Sequence, residues 1–130
     1  MTISSENGRL GEDIAVEFFM VNGYEIVCRN YRAGHNEIDI IARKKNKLVF
    51  AEVKTRTESV FLEKYGSAKK AVDRNKQKHL LEAAKTYLHE ENFARGLSPR
   101  MDVVEVYLTK DGRFSKLHYI RNAFGVGGNN

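Results

Sequence analysis

Glu37-Ile38-Asp39-Ile40-Ile41-Ala42-Arg43-Lys44-Lys45-Asn46-Lys47-Leu48-Val49-Phe50-Ala51-Glu52-Val53-Lys54 is the stretch on which the fold turns. Its flanks, Glu37–Arg43 and Leu48–Arg56, are rich in Ile, Val and Phe, and Lys44-Lys45-Asn46-Lys47 separates them. Two β-rich runs around a short polar break read as a hairpin. A turn between Lys45 and Asn46 pairs residues whose numbers sum to 91, so Asp39 faces Glu52, Glu37 faces Lys54 and Ile41 faces Phe50. Alternation then puts Glu37, Asp39, Ile41, Phe50, Glu52 and Lys54 on one face. Like charges directly opposed on a sheet are destabilising, and two carboxylates on so apolar a hairpin call for something positive between them. A divalent cation such as Mg²⁺ suits hard oxygen donors. Lys54, on the same face, is placed to assist an attacking water and to offset charge on a phosphate. The competing reading is a solvated sheet face on which one Lys neutralises one carboxylate. From these residues alone both readings stand.

Working outward, Asn7–Asn22 reads as a helix that Gly23 ends. Leu10, Ile14, Phe18 and Val21 form its apolar stripe, widened on one side by Gly8, Gly11, Ala15 and Phe19. Small residues there predict close packing on a sheet, with Glu12 at the edge of this face. Tyr24–Arg32 reads as the first strand. Thr57–Ser67 is polar, contains glycine and reads as a mobile loop. A second helix is expected over Ala68–Glu91, with Val72, His79, Leu80, Ala83 and Tyr87 as its apolar stripe. Pro99 then precedes a strand, Met101–Leu108, and Lys110-Asp111-Gly112-Arg113 turns it into Phe114–Ile120. The tail from Gly125 to Asn130 is expected to fray. The order is α-β-β-β-α-β-β. The helix between strands three and four is a crossover that makes those two strands parallel. An α/β fold follows, a mixed five-stranded sheet with helices on its faces.

At 130 residues, the chain has the length of one domain, covering 1–130. A 42% hydrophobic content with 30% charged residues and a mean hydropathy of −0.51 is the profile of a globular protein. One cysteine, Cys28, excludes a disulfide framework and a multi-cysteine zinc site. No window reaches the ~20 apolar residues of a membrane span, and the N-terminus lacks a basic-then-apolar leader. The expectation is a cytoplasmic protein with no membrane partner. The net charge is +5, and its distribution says more. Lys64, Lys69, Lys70, Arg74, Lys76 and Lys78 face Asp73 alone between residues 64 and 78, whereas the first 25 residues are acidic. Phosphate neutralisation with counterion release makes nucleic acid the natural partner of such a segment. A solvated helix face is the alternative.

The strings Gly8-Arg9-Leu10-Gly11-Glu12, Gly23-Tyr24-Glu25-Ile26, Asn30-Tyr31-Arg32, Glu37-Ile38-Asp39-Ile40-Ile41-Ala42, Phe50-Ala51-Glu52-Val53-Lys54-Thr55-Arg56 and Arg100-Met101-Asp102-Val103-Val104 resemble the YraN family. The resemblance covers essentially the whole chain, including Asn122-Ala123-Phe124. These small bacterial proteins are usually described as endonuclease-like. They are similar to archaeal Holliday-junction resolvases, within the restriction-endonuclease-like, or PD-(D/E)xK, superfamily. The resemblance implies a three-layer α/β/α fold and a Mg²⁺- or Mn²⁺-dependent nuclease acting on DNA. It makes Asp39 the metal-binding aspartate, Glu52 and Lys54 the Glu-x-Lys pair, and Glu12 the acid of the first helix. Metal would then be held by Asp39, Glu52 and Glu12. Glu37 belongs to the Glu-Ile-Asp string. This chain departs from the family there, with Gly34-His35-Asn36 before Glu37 in place of a Gly directly preceding it. A resolvase-like function also favours a homodimer.

Among the remaining residues, Lys76 falls inside the apolar stripe of the second helix. It either snorkels outward or points to the acidic site, and the second reading is preferred. Lys69, Lys70, Arg74 and Lys78, with Arg56 at the end of strand three, are expected to contact phosphates without reading sequence. Tyr31 and Arg32 close strand one, either stacking on a base or packing the sheet end. Asp102 is either an ion-pair partner of Arg100 or a catalytic acid. His79 is expected to pack, Cys28 to be a buried thiol, and the four histidines show no metal-ligand spacing. Three function classes remain open: a nuclease, a nucleic-acid-binding module of the same fold with weak or absent catalysis, and a protein-interaction module.

Overall fold

The hairpin closes where its residues predict. Lys45 takes a left-handed conformation (φ 56°), and Lys44 pairs with Lys47, Arg43 with Leu48, Ala42 with Val49, Ile41 with Phe50 and Ile40 with Ala51. Every rung sums to 91, the expected register. The computed structural model describes residues 3–57, 73–91 and 96–125. They form α1 (Ile3–Val21), β1 (Glu25–Ala33), β2 (Asn36–Lys44), β3 (Lys47–Thr57), α2 (Arg74–Glu91), β4 (Ser98–Leu108) and β5 (Phe114–Phe124). The sheet order is β1-β2-β3-β4-β5. β3 and β4 are parallel and the other pairs antiparallel, the α/β arrangement and element order expected from the sequence.

Two cores lie on opposite faces of this sheet. On one, Ala15 and Phe19 of α1 bury Ile40, Ala42, Val49, Ala51, Val104 and Val106. On the other, Leu80, Ala83, Ala84 and Tyr87 of α2 bury Ile38, Ile41, Leu48, Phe50, Met101 and Val103. β4 is buried throughout Met101–Leu108, as a strand with both faces and both edges covered must be. No helix among the described residues is long and apolar enough to cross a membrane.

Several details differ from expectation, among them an α1 that begins at Ile3 rather than Asn7. The buried line of α1 is Gly11, Ala15 and Phe19, while Leu10 and Val21 are exposed. The cause is close approach, since a Cβ on Gly11 would stand 1.9 Å from Thr55 Oγ1. α1 therefore lies down on its small residues, and its larger ones flank the contact. The helix ends as expected at Gly23 (φ 88°), with Gly23 N–H donating to Met20 and Tyr24 N–H to Phe19. α2 starts at Arg74 because Asp73 caps it, its Oδ1 accepting from Lys76 N–H at 2.8 Å; residues 68–72 lie outside the described residues. β4 begins at Ser98, whose N–H donates to Asn46 at 2.6 Å. The next residue, Pro99, turns its nitrogen to the other side, where β5 pairs only from Met101 on. β5 runs on to Phe124. Gly125 is buried, and the rest of the tail expected to fray lies outside the described residues, as do 58–67 of the expected loop.

Candidate active site

The hairpin opens into a fork. Past Ile40 and Ala51 the β2–β3 ladder stops. β3 keeps pairing with β4 as far as Thr57 and Leu108, and β2 with β1 as far as Asn36 and Ala33. The rungs expected between Asp39 and Glu52 and between Glu37 and Lys54 are therefore missing. A strand losing its neighbour leaves backbone donors without partners, and the Val53 N–H is taken by Asp39 Oδ2 at 2.7 Å. Asp39 thus bridges the fork with its side chain where the backbone ladder has ended.

A kink in β2 aims it there. Ile38 and Ile41 pack on the α2 side, whereas Ile40 and Ala42 pack on the α1 side, so strict alternation fails across Asp39. Opposite it on β1, Asn30 is left-handed (φ 53°), a conformation Asn tolerates better than most residues. The expectation that Glu37, Asp39, Ile41, Phe50, Glu52 and Lys54 share one face is corrected accordingly. Asp39 instead lines a cleft of about 380 Å³ on the α1 side, with Gly8 and Glu12 of α1 and Thr55 and Arg56 of β3. Glu52 stays with Phe50 on the α2 side and reaches Asp39 through the fork.

The two carboxyl groups are within hydrogen-bonding reach of each other. Burial, then the charge of Glu52 and the hydrogen bond to it, push Asp39 up to about 8, against the pull of the Val53 N–H. Two lysines converge on Glu52. Lys76 Nζ lies 3.5 Å and Lys54 Nζ 3.7 Å from Glu52 Oε2, itself nearly buried. Lys76 is the third residue of α2, so the Asp73 cap also fixes the lysine. The reading of Lys76 as directed to the site, made against the snorkelling alternative, matches this geometry.

Glu12 lines the same cleft as Asp39, but its oxygens are engaged. Arg29 Nη2 lies 3.3 Å from Oε1, and Asn30 Nδ2 donates to Oε2 at 3.2 Å. Arg29 also bonds Asp13 at 2.7 Å. Among the described residues no three His, Cys, Asp or Glu side chains group as metal ligands, so the three-acid set of Asp39, Glu52 and Glu12 reduces here to a pair. That pair fits a hard divalent cation. It offers adjacent carboxylate oxygens in a largely buried place, where a cation would relieve the repulsion that raises Asp39. Glu37 accepts from Arg32 Nε at 3.1 Å beside the turn between β1 and β2, outside the lining of the cleft.

Of the expected phosphate contacts, Lys69 and Lys70 lie outside the described residues. Arg74 and Lys78 are exposed on α2, and Arg56 lines the cleft while pairing with Glu105. Tyr31 packs edge-on against Tyr87 and donates to Glu90 at 2.5 Å, so packing describes it. His79 is exposed rather than packed, and Cys28 is half-buried against the α2-side core. Asp102 resolves as structural: it is fully buried and accepts from Arg100 Nε and Nη2, the Asn122 N–H and the Tyr119 hydroxyl. Arg29 and Asn30 escaped the sequence reading, because strand spacing does not show which helix residue stands above them. Glu105 escaped too, although a glutamate inside the apolar run Met101–Leu108 was a visible signal.

Comparison with known proteins places the chain. Residues 11–106 match the model described as "Uncharacterised protein family UPF0102". The chain belongs to the UPF0102 family. A UPF0102 protein of Caldanaerobacter subterraneus is 40% identical over 118 residues, 90% of this chain and 93% of that one. One from Desulfosudis oleivorans is 46% identical over 118 residues, covering 90% and 88%. One from Chloroherpeton thalassium is 42% identical over 106 residues, covering 82% and 78%. UPF0102 and YraN name the same family, so the strings quoted from the sequence and the match coincide. The UPF0102 match runs from the middle of α1 to most of β4 and so contains the fork, both its carboxylates and both its lysines.

Proposed function

We propose that this UPF0102 chain is a Mg²⁺- or Mn²⁺-dependent endonuclease that hydrolyses phosphodiester bonds in DNA, with branched or junction DNA its foremost candidate substrate. The observation carrying the reading is the Asp39–Glu52 carboxylate pair at the β2–β3 fork, flanked by Lys54 and Lys76. Asp39 and Glu52 would hold the cation, which supplies Lewis-acid stabilisation of a phosphoryl oxygen and a more acidic water. Glu12, on the same cleft, would have to leave Arg29 or Asn30 to join them. Lys54, its side chain 34% exposed, holds its ammonium beside Glu52, close enough to orient a water and to offset charge gathering on the phosphate. Lys76 approaches the same carboxylate oxygen from α2, and the exposed cations of α2 would follow the backbone without reading bases.

The test is cleavage of labelled junction, flap, single-stranded and duplex DNA with either metal, comparing wild type with Glu52→Ala and Lys54→Ala purified identically. Cleavage by the wild type that both variants lose supports the reading. Cleavage by Glu52→Ala at the wild-type rate overturns it. A preference for junctions together with a dimer in solution would specify the resolvase-like form. One observation favours a second reading, a binding module with lapsed catalysis: Arg29 and Asn30 already occupy Glu12. Salt-sensitive DNA binding equal in all three proteins, with no turnover in either metal, would select it.

A further inference from the structure

The α2 side of the sheet holds a second buried acid that the carboxylate pair does not use. Glu105 of β4 is 0% exposed. Its Oε2 accepts from Arg56 Nε at 2.7 Å and its Oε1 from the Tyr107 hydroxyl at 2.6 Å, with His118 Nδ1 3.6 Å from Oε1. A buried carboxylate persists only when its oxygens are met by donors, and Arg56 and Tyr107 meet them.

The register shows what lies around it. Lys54, Glu105 and His118 are neighbours across β3, β4 and β5, and Arg56, Tyr107 and Lys116 form the next row. Lys116 Nζ lies 4.8 Å from the centre of the Tyr107 ring, within cation–π range. Burial and Glu105 push the Tyr107 hydroxyl up to about 12, so it stays a donor. One buried anion therefore sits among four basic side chains that reach solvent, Arg56 being 31% and His118 49% exposed. The Arg56 contact uses Nε. Among the described residues no other carboxylate lies within ion-pair distance of its guanidinium, and Arg56 follows Lys54 by two residues on β3, on the side of the sheet where Glu52 stands. A guanidinium gripped by one edge presents its remaining donors in a fixed fork, the geometry suited to a phosphate.

We propose that Glu105 is a positioning residue for Arg56, and that Arg56, His118 and Lys116 form a phosphate-binding track from the carboxylate pair across β4 to the β5 edge. The track spans two inter-strand steps, about 10 Å. A nucleic-acid strand lying along that distance sets more than one phosphate on it. It therefore holds backbone beyond the scissile phosphate. The inference rests on the nucleic-acid reading above.

The test is binding of a labelled DNA junction and duplex by fluorescence anisotropy across a NaCl series, for wild type, Glu105→Gln, Arg56→Lys and Lys116→Gln. Glu105→Gln removes one negative charge, so a surface acting through charge alone would bind more tightly. Positioning requires the opposite, weaker binding. Arg56→Lys keeps the charge and loses the fork, so it also weakens. Lys116→Gln makes the log K against log salt slope shallower by about one unit. If circular dichroism shows Glu105→Gln unfolded, Arg56→Lys and Lys116→Gln decide. Wild-type binding with unchanged affinity and slope in those two variants overturns the track and leaves the proposed function standing. No DNA binding by wild type at low salt overturns both.

Discussion

Asp102 and Asp39 are two carboxylates on the same sheet, treated in opposite ways. Asp102 is wholly buried, yet each of its oxygens meets donors from Arg100, Tyr119 or Asn122. Those contacts hold the Arg100 guanidinium, which also donates to Tyr24 at 2.8 Å, above its ordinary pKa, and they tie the irregular end of β5 to β4. Asp39 is less buried but worse served, with one backbone N–H and a second carboxylate beside it. The first acid is matched by its surroundings and serves the fold. The second is left short of positive partners, as groups at functional sites often are. Burial alone does not separate the two acids; the balance of donors against acceptors around each does.

The contrast can be broken experimentally, and the largest effect is expected at the matched acid. Asp102→Ala strands Arg100 in a buried place and should cost about 3–5 kcal/mol, read as a lower urea midpoint. A loss below 1 kcal/mol would show that the hub is not structural. The next effect belongs to the unmatched pair. Under the proposed function, Mg²⁺ or Mn²⁺ at 100 times its dissociation constant stabilises wild type by about 2.7 kcal/mol, and a thermal shift that survives in Glu52→Ala would place the ion elsewhere. Tyr119→Phe removes one donor from Asp102 while keeping the ring against Phe18 and Phe19, for a loss of about 1–2 kcal/mol. The smallest change has the opposite sign. Asp39→Asn removes the carboxylate repulsion and keeps an acceptor for Val53, so the metal-free protein should gain up to about 1 kcal/mol while losing cleavage. A variant less stable than wild type would mean that the pair is not in conflict.

The register of the central hairpin and the parallel crossover could be read from the chain because both follow from local pattern. Turn residues fixed the sum of 91, and the length between strands three and four forced the crossover. The site was half legible. Asp39, Glu52, Lys54 and Lys76 do meet, but the face on which Asp39 lies was misjudged, because β2 breaks the assumed alternation between Ile38 and Ile40. The line along which α1 is buried was likewise misplaced. Apolar size pointed to Leu10 and Val21, whereas the decisive quantity was how near Thr55 allows the helix to come. The partners of Glu12 and Glu105 depend on side chains 17 and 49 residues away in sequence, and no local period carries that information.

The bond from the Val53 N–H to Asp39 Oδ2 has a spectroscopic consequence. Most strand amides donate to a carbonyl whose charge never changes, but this one donates to a carboxylate that can gain a proton or face a cation. Its proton resonance should therefore move with the ionisation of Asp39 and with titrated Mg²⁺, while the Phe50 amide on the same strand stays still. One backbone signal, in the native protein and without a probe, would report what occupies the fork.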